Sequence, residues 1–256
     1  MNFAKEKLEY VREHKKNNFS YCDNYLTTEL PLNAIDYIYE SISKKRYMNF
    51  QEREQYSLKI KPEKDNNIIF DQGLNETVTW KNKVMLKSPN DLIILNMLIW
   101  ELKPRSIIEL GTGNGSSSEY IEFILKSYNQ ECEILSFDII NKEEKINSIK
   151  KYHANFNDLN TLITHSNMFK TLARPLLIIE DGHSNYFELI KLMTSYCSKD
   201  DYIFIEDSGD TKDYWGCSKQ DIVKYLSQIN FLIDTKYTDF FGFNRTSCVN
   251  SILRKF

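Results

Sequence analysis

Short apolar runs alternate with stretches of helical period along the C-terminal two thirds of the chain. The apolar runs, which predict strands, read "SIIEL", "EILSFD", "TLITHS", "PLLIIE" and "DYIFIED". Between and after them, the spacing of apolar positions predicts helices at about 116–128, 143–151, 184–197 and 218–229. Strands that are separated by helices of this length pair in parallel through right-handed crossovers. The pattern therefore predicts an α/β fold with a doubly wound, mostly parallel sheet.

Both ends of this sheet region carry local signals of their own. In "SPNDLIILNMLIWELKP", Ser88 suits the N-cap of a helix, Pro89 suits its first position, and Pro104 lies beyond its end. After the last predicted helix, "FLIDTKYTDF" and "SCVNSILRKF" are strand-like, with no helix predicted between them. These two segments predict that the sheet ends in an antiparallel hairpin.

The first 85 residues have a different character. They are rich in Tyr, Lys, Asn and Glu, contain no glycine before Gly73, and show helical spacing in "AIDYIYESISKKRYM". We predict a helical N-terminal region over residues 1–85, followed by the sheet domain over residues 86–256. The N-terminal region is expected to be either a packing appendage or a cover for a substrate pocket.

Composition and charge exclude several classes of protein. The chain has 256 residues, is 41% hydrophobic and carries a net charge of -3, so nothing favours nucleic acid as a partner. The five cysteines form no CxxC pair, which argues against zinc and for reduced thiols in the cytoplasm. No apolar run is long enough to cross a membrane, and "MNFAKEKLEYVREHKKNNF" at the start has no apolar signal segment.

A glycine loop follows the first strand of the sheet domain. In "SIIELGTGNGSSSEYI", Gly111, Gly113 and Gly115 come at every second position and Glu109 precedes them. Open α/β sheets bind ligands beyond the carboxyl ends of their strands, and glycines let a ligand approach the backbone. A tight structural turn is the alternative interpretation. The residues that we expect to bind a cofactor here are Glu109, Gly111, Thr112, Gly113, Gly115, Ser116 and Ser117.

The spacing of the loop bears on the choice of cofactor. Nicotinamide-binding folds use GxGxxG and direct a pyrophosphate at the helix, whereas this loop reads GxGxG after an acid. Glu109 would repel pyrophosphate but attract an ammonium or a sulfonium, which favours S-adenosylmethionine. Asp138, at the end of "LSFD", is placed to accept hydrogen bonds from ribose hydroxyls in either cofactor class. Ser166 and Asn167, in "THSN", are candidate contacts of the adenine edge.

Acidic residues follow the fourth and fifth predicted strands. "LLIIEDGH" ends in Glu180, Asp181 and His183, and "YIFIEDSGD" carries Glu206 and Asp207. Carboxylates that share one sheet edge repel each other unless a cation joins them, and an oxygen-only set suits Mg²⁺. His183 is the candidate general base for a hydroxyl that the metal orients. The alternative is that the acids are solvated loop residues and that His183 caps the next helix.

Three segments resemble the cephalosporin hydroxylase-like family of class I methyltransferases, which includes metal-dependent O-methyltransferases of antibiotic sugars. They are "LKSPNDLIILNMLIWELKPRSIIELGTGNGSSSEYI", "PLLIIEDGHSNYFELIKLMTSYCSKDDYIFIED" and "YTDFFGFNRTSCVNSILRKF". The resemblance implies a Rossmann-like methyltransferase domain that binds S-adenosylmethionine and Mg²⁺. It also implies Glu180, Glu206 and Asp207 as metal ligands and His183 as the base.

Two positions depart from the pattern of that family. Its first metal acid is commonly Asp, whereas here Glu180 stands beside Asp181, so either residue is a candidate ligand. Its glycine loop commonly reads Gly-Gly-Ser, whereas residues 114–116 read Asn-Gly-Ser. In such enzymes the N-terminal region sets substrate choice and subunit contacts, so a homo-oligomer is expected.

The sequence thus predicts an S-adenosylmethionine-dependent, Mg²⁺-dependent O-methyltransferase. Its acceptor is expected to be a hydroxylated small molecule, such as a sugar or phenol of natural product biosynthesis. Two alternatives stay open at this level: a hydroxylase or nicotinamide-type oxidoreductase, and a catalytically idle module that binds a nucleoside. Binding of NAD in competition with S-adenosylmethionine separates the first alternative from a methyltransferase.

Overall fold

The computed structural model describes residues 45–59, 78–85, 87–140, 144–209 and 218–256. The strands are β1 (Tyr47–Met48), β2 (Thr79–Trp80), β3 (Lys83–Val84), β4 (Ser106–Leu110), β5 (Glu133–Asp138), β6 (Glu144–Ile146), β7 (Ile149–His153), β8 (Leu176–Glu180), β9 (Tyr202–Ile205), β10 (Phe231–Asp234) and β11 (Ile252–Lys255). The helices are α1 (Phe50–Lys59), α2 (Pro89–Leu102), α3 (Ser116–Ser127), α4 (Asn160–Ile163), α5 (Ser166–Thr171), α6 (Tyr186–Thr194), α7 (Lys219–Gln228) and α8 (Thr235–Thr238).

The main sheet within these residues has the strand order β1-β10-β11-β9-β8-β4-β5-β7-β6. Its centre is parallel, because β4 pairs with both β5 and β8, β8 pairs with β9, and β5 pairs with β7 in that sense. The predicted doubly wound α/β fold is therefore confirmed. β11 runs antiparallel to both β9 and β10, which confirms the C-terminal hairpin. The short helix α8 follows β10 directly, so the prediction of no helix between the hairpin strands is wrong.

Hydrophobic side chains cover both faces of the parallel strands. Ile108 and Leu110 of β4 pack in one buried cluster with residues of α6 and α7. Ile107, directly before Ile108, packs on the other face with residues of α2 and α3. Because both faces are buried, these strands read as continuous apolar runs rather than as an alternating pattern.

Helix α2 begins as the local sequence predicts. The Ser88 side chain accepts a hydrogen bond from the Asp91 N–H, and Pro89 occupies the first helical turn. Lys103 takes the left-handed conformation that ends the helix. Asp91 is buried and also accepts hydrogen bonds from the Thr246 hydroxyl and from the Ser247 N–H. The start of α2 is thereby anchored to the segment that precedes β11.

Two predicted elements are wrong. The segment 143–151 is not a helix, because β6 and β7 form an antiparallel pair at the edge of the sheet and β7 also pairs with β5. The run "TLITHS" is not the third strand, because residues 160–163 form α4 and α5 starts at Ser166. The third parallel strand is therefore β7, which ends at His153.

The region before residue 86 is only partly described. Residues 1–44 and 60–77, with most of the predicted helical segment, lie outside the described residues. Residues 46–256 form one compact unit, in which β1 pairs with β10. β1 is a strand where helix is predicted, and α1 is helical. The β2–β3 hairpin lies near the end of the predicted helical region, in a stretch where the sequence loses its helical period. A boundary near residue 85 and a lid or subunit-contact role for residues 1–85 stay predictions.

None of the helices in the described ranges has both the length and the apolar character that a membrane span requires.

Candidate functional site

The glycine loop turns the chain from β4 into α3. Gly111, Gly113 and Gly115 all have positive φ angles, of 90°, 55° and 80°. Residues with a Cβ rarely adopt this conformation, so the loop geometry accounts for the three glycines. The Gly111 N–H donates to the Phe137 carbonyl over 2.8 Å, which continues the pairing of β4 with β5 beyond the strand end.

Gly111 also makes the closest approach in the site. A Cβ at this position would lie 2.4 Å from the backbone oxygen of Asp181 and 2.7 Å from the Cα of Gly182. These are backbone atoms that cannot rotate away, so the loop after β4 packs directly against the loop after β8. The glycine loop and the first pair of acids are therefore immediate neighbours.

Glu109 lies within β4 and is fully buried. Its carboxylate accepts hydrogen bonds from the hydroxyls of Ser117 and Ser118, in the first turn of α3. Burial raises the pKa of Glu109, although Lys87 and the two hydroxyls act in the opposite direction. In this structure Glu109 therefore connects β4 to the start of α3.

The hydroxyl side chains of the loop also bind protein groups. The Thr112 hydroxyl is hydrogen-bonded to that of Ser136, and the Ser116 hydroxyl donates to the Val84 carbonyl over 2.9 Å. Val84 belongs to the β2–β3 hairpin, which also accepts from the Asn114 side chain over 2.8 Å. The loop is held in place from several sides, as a preformed binding loop requires.

Asp138 lies at the end of β5, next to the glycine loop. One carboxylate oxygen accepts from the Gly113 N–H over 2.8 Å, and the other accepts from the Ile140 N–H over 3.0 Å. The structure thus brings Asp138 together with the glycines, as the predicted nucleoside site requires. Ile139 and Ile140 are 58% and 66% exposed. The sequence shows both isoleucines directly after the strand-end acid, but the predicted cofactor site does not include them.

Ser166 and Asn167 are placed differently from the prediction. They start α5 rather than follow a strand, and Asn167 is exposed. Among the described residues, no hydrogen bond joins either side chain to the glycine loop or to Asp138. The neighbouring His165 packs against the rings of Phe137 and Tyr152, with centroids 5.5 and 4.8 Å away. The role of Ser166 and Asn167 as adenine contacts stays a prediction.

Both pairs of acids lie at the carboxyl ends of two neighbouring strands, β8 and β9. β8 ends at Glu180, β9 pairs with it in parallel, and the Glu206 N–H donates to the Glu180 carbonyl over 2.9 Å. Glu180 and Glu206 are buried beneath the edge, whereas Asp181 and Asp207 lie closer to solvent. The side chains of each pair therefore have different surroundings.

The two buried glutamates are paired with buried lysines. Lys219 Nζ lies 2.9 Å from Glu180 Oε2, and Lys87 Nζ lies 2.5 Å from Glu206 Oε1. Burial raises the pKa of Glu206 well above its usual range, against the effect of Lys87. Burial lowers the pKa of Lys87, but Glu206 and Asp181 outweigh it and leave that pKa raised. Glu180 and Glu206 are thus each paired with a buried lysine, and Lys87 Nζ also lies 3.2 Å from Asp181 Oδ2.

The other two acids converge on His183. Its Nε2 atom lies 3.1 Å from Asp181 Oδ1 and 3.5 Å from Asp207 Oδ2. The three side chains offer ligand atoms that all lie within 4.8 Å of one another, so they can hold a metal ion together. The hydrogen bond from His183 to Asp181 raises the pKa of the imidazole. His183 and Asp207 both have left-handed backbones, with φ of 50° and 47°, a strained conformation that is concentrated at functional sites.

The site predicted from the sequence includes neither Lys87 nor Lys219. Lys87 belongs to the "LKSPND" segment that supports the family resemblance, whereas nothing in the sequence around Lys219 points to the acids. Their positions depend on how α2 and α7 pack against the end of the sheet. Such contacts between distant segments leave no local pattern.

Comparisons with known proteins identify a family and similar folds. The family described as Rhamnosyl O-methyltransferase/CmcI matches residues 72–243 of the chain. The fold is similar to that of CmcI in its apo structure (21% identity, TM-score 0.57, covering 91% of this chain and 98% of that chain). It is also similar to CmcI with Mg and SAM (22%, TM-score 0.57, 91% and 99%) and to CmcI with SAH (24%, TM-score 0.54, 70% and 82%).

No curated protein matches the sequence significantly. The family match covers both loops of the site, from the glycine loop through the acids that follow β8 and β9. It confirms the resemblance that the three sequence segments indicate, and it makes the protein a methyltransferase rather than an oxidoreductase. The chain belongs to the Rhamnosyl O-methyltransferase/CmcI family.

Proposed function

We propose that the protein transfers the methyl group of S-adenosylmethionine to a hydroxyl of a small molecule, with the help of Mg²⁺. The observation that carries the proposal is the contact of Gly111 with the backbone of Asp181, because it brings the glycine loop next to the acids that follow β8. Membership of an O-methyltransferase family supports the reaction class. The CmcI structures that hold SAM or SAH, one of them with Mg, support the choice of ligands.

The donor site is proposed to lie between the glycine loop and the end of β5. The backbone of residues 111–115 approaches the methionine part of the donor, and Asp138 accepts hydrogen bonds from the ribose hydroxyls. Ile139 and Ile140 offer exposed apolar surface for the adenine ring. Glu109 acts through its bonds to the first turn of α3 and through its charge, which favours the cationic donor.

The metal site is proposed at Asp181 and Asp207, beside His183. Carboxylate oxygens are the ligands that Mg²⁺ prefers, and the exposure of Asp207 leaves room for water and substrate oxygen. A divalent cation there would stabilise negative charge on the acceptor oxygen. Glu180 is buried against Lys219, whereas Asp181 lies beside Asp207 and His183, so Asp181 rather than Glu180 is the proposed ligand.

His183 is proposed to receive the acceptor proton as general base, held in position by Asp181 and Asp207. The acceptor oxygen forms a bond to the methyl carbon while the carbon–sulfur bond breaks. The products are the methyl ether and S-adenosylhomocysteine, with the proton on His183. The protein contributes mainly alignment of the two reactants in a site where charge is already balanced.

The acceptor is proposed to be a sugar hydroxyl of a natural product. The family description names rhamnosyl O-methyltransferases, which supports a sugar rather than a phenol. Methylation of a panel of glycosylated and phenolic compounds, followed by mass spectrometry, would identify the class. A product methylated on nitrogen or carbon alone would contradict the proposed O-methyl transfer.

Isothermal titration with S-adenosylmethionine tests the donor site. Asp138→Ala should weaken binding about 10- to 100-fold, since a lost hydrogen bond to a charged group is worth about 1.5–3 kcal/mol. Asp158→Ala, at an exposed acid in a surface turn, is the matched control and should bind as the wild type does. Absence of binding to a wild-type protein that is folded by circular dichroism would refute the proposal.

A further inference from the structure

A buried lysine lies beneath the proposed metal site. Lys87 is 3% exposed, and its ammonium contacts two carboxylates from different strand ends. Nζ lies 2.5 Å from Glu206 Oε1 and 3.2 Å from Asp181 Oδ2. Asp181 is also a member of the group that can hold a metal ion. The ammonium of Lys87 and a divalent cation would therefore share one carboxylate.

Lys219, the second buried lysine, has different partners. Its ammonium contacts Glu180 over 2.9 Å and donates to the Glu206 carbonyl over 2.5 Å, and neither group belongs to the candidate metal set. The two lysines therefore differ in kind. Lys219 is paired with Glu180, which is outside the candidate metal group, whereas Lys87 contacts Asp181, which belongs to it.

The position of Lys87 is set by rigid structure. It directly precedes Ser88, the N-cap of α2, and Asp91 anchors that helix end to Thr246 and Ser247. The backbone that carries the ammonium is consequently fixed by the start of α2. A charge held in this way neutralises its partners without the additional entropy cost of ordering a mobile backbone segment.

We propose that Lys87 is a positioning residue that serves as a tethered cation, holding Asp181 and Glu206 together and competing with the divalent cation for Asp181. The proposal rests on the metal site described under the proposed function. Its consequence is that removal of the ammonium lowers the thermal stability of the metal-free protein but increases its affinity for the divalent cation. A residue that only packs beneath the site would not produce opposite changes of this kind.

The test measures Mn²⁺ binding from the electron paramagnetic resonance signal of the free ion, together with melting temperatures in EDTA. Lys87→Met should lower the melting temperature in EDTA by about 10 °C, as expected for breaking a buried ion pair. It should tighten the dissociation constant for Mn²⁺ about tenfold, because one competing positive charge is removed from the site.

Two further variants make the result specific. Lys87→Arg keeps the charge and should bind Mn²⁺ within about twofold of the wild type, since a guanidinium retains the attraction to both carboxylates. Lys150→Met removes a lysine that pairs with Glu133 at the other end of the strands, and it should change neither quantity appreciably.

The outcomes separate this proposal from the proposed function. If the wild type binds Mn²⁺ and Lys87→Met binds it equally or more weakly, the tethered-cation role is overturned while the metal site stands. If only Lys87→Met binds Mn²⁺, the competition is supported and metal dependence of the natural enzyme is refuted. If neither protein binds the ion, both proposals fail.

Discussion

Replacing Gly111 by alanine tests the central contact of the site, because the missing Cβ at this position lets the glycine loop pack against the backbone of Asp181. The added Cβ would lie 2.4 Å from the Asp181 oxygen and 2.5 Å from its carbonyl carbon. Gly113 is the matched control in the same loop. Its φ is also positive, at 55°, but a Cβ there would meet no atom within 4 Å.

The expected loss of folding stability in Gly111→Ala follows from two effects. Alanine in a left-handed conformation costs about 1–2 kcal/mol at either position. Overpacking adds about 1–3 kcal/mol at Gly111 only, since the neighbouring atoms are backbone. The total of about 2–5 kcal/mol corresponds to a fall in melting temperature of about 5–15 °C for a chain of this size, compared with about 2–6 °C for Gly113→Ala.

Differential scanning calorimetry in EDTA and Mn²⁺ titration provide the measurements. Gly111→Ala should show the larger loss of stability and weaker Mn²⁺ binding, because the backbone that carries Asp181 must move to make room for the methyl group. Gly113→Ala should leave Mn²⁺ binding unchanged. Equal stability losses in the two variants, with unaltered Mn²⁺ binding in both, would refute the close packing of the two loops.

Three predictions concern other parts of the fold. Arg53→Met should cost about 3–5 kcal/mol in urea unfolding, because it removes the ionic partner of the Asp239 carboxylate; a loss below about 1 kcal/mol would contradict that contact. Hydrogen bonds from basic neighbours outweigh burial and lower the pKa of Glu101 to about 2. The stability difference between wild type and Glu101→Gln should therefore be constant above about pH 5 and be lost as pH falls towards 2; a difference independent of pH would refute it. Burial raises the pKa of Cys132 and Cys197 to about 12. At pH 8, peptide mapping should show iodoacetamide labelling of both thiols at least about 100-fold slower in the folded than in the unfolded protein, and equal rates would contradict their burial.

Elements with local signals were predictable from the sequence. The cap at Ser88 and the proline after it locate α2 because capping is decided within one helical turn. The buried strands β4, β5, β8 and β9 were predictable because strands covered on both faces are apolar throughout. Glu109, the three glycines and the strand-end acids follow from those strands, since parallel strands present their carboxyl ends at one edge.

The outermost strands β6 and β7 were not predictable in the same way. The segment before His153 is rich in lysine and glutamate, which favour helices when considered alone. In the fold it supplies the edge strand β6 and its neighbour β7, and a charged side chain on the edge strand, such as that of Lys145, protects an exposed edge from aggregation. Tertiary pairing thus outweighs local preference there. The partners of Glu180 and Glu206 were equally hidden, because Lys219 and Lys87 reach them from distant segments.

The most direct test of the account is a crystal structure of the protein with S-adenosylhomocysteine and Mn²⁺, the ion being located by its anomalous signal. We expect the ribose hydroxyls on Asp138, the sulfur facing the acids across Gly111, and the ion in contact with Asp181 and Asp207. An ion bound instead by Glu180 and Glu206, with both lysines displaced, would contradict the proposed metal site. A nucleoside bound away from the glycine loop would contradict the account as a whole.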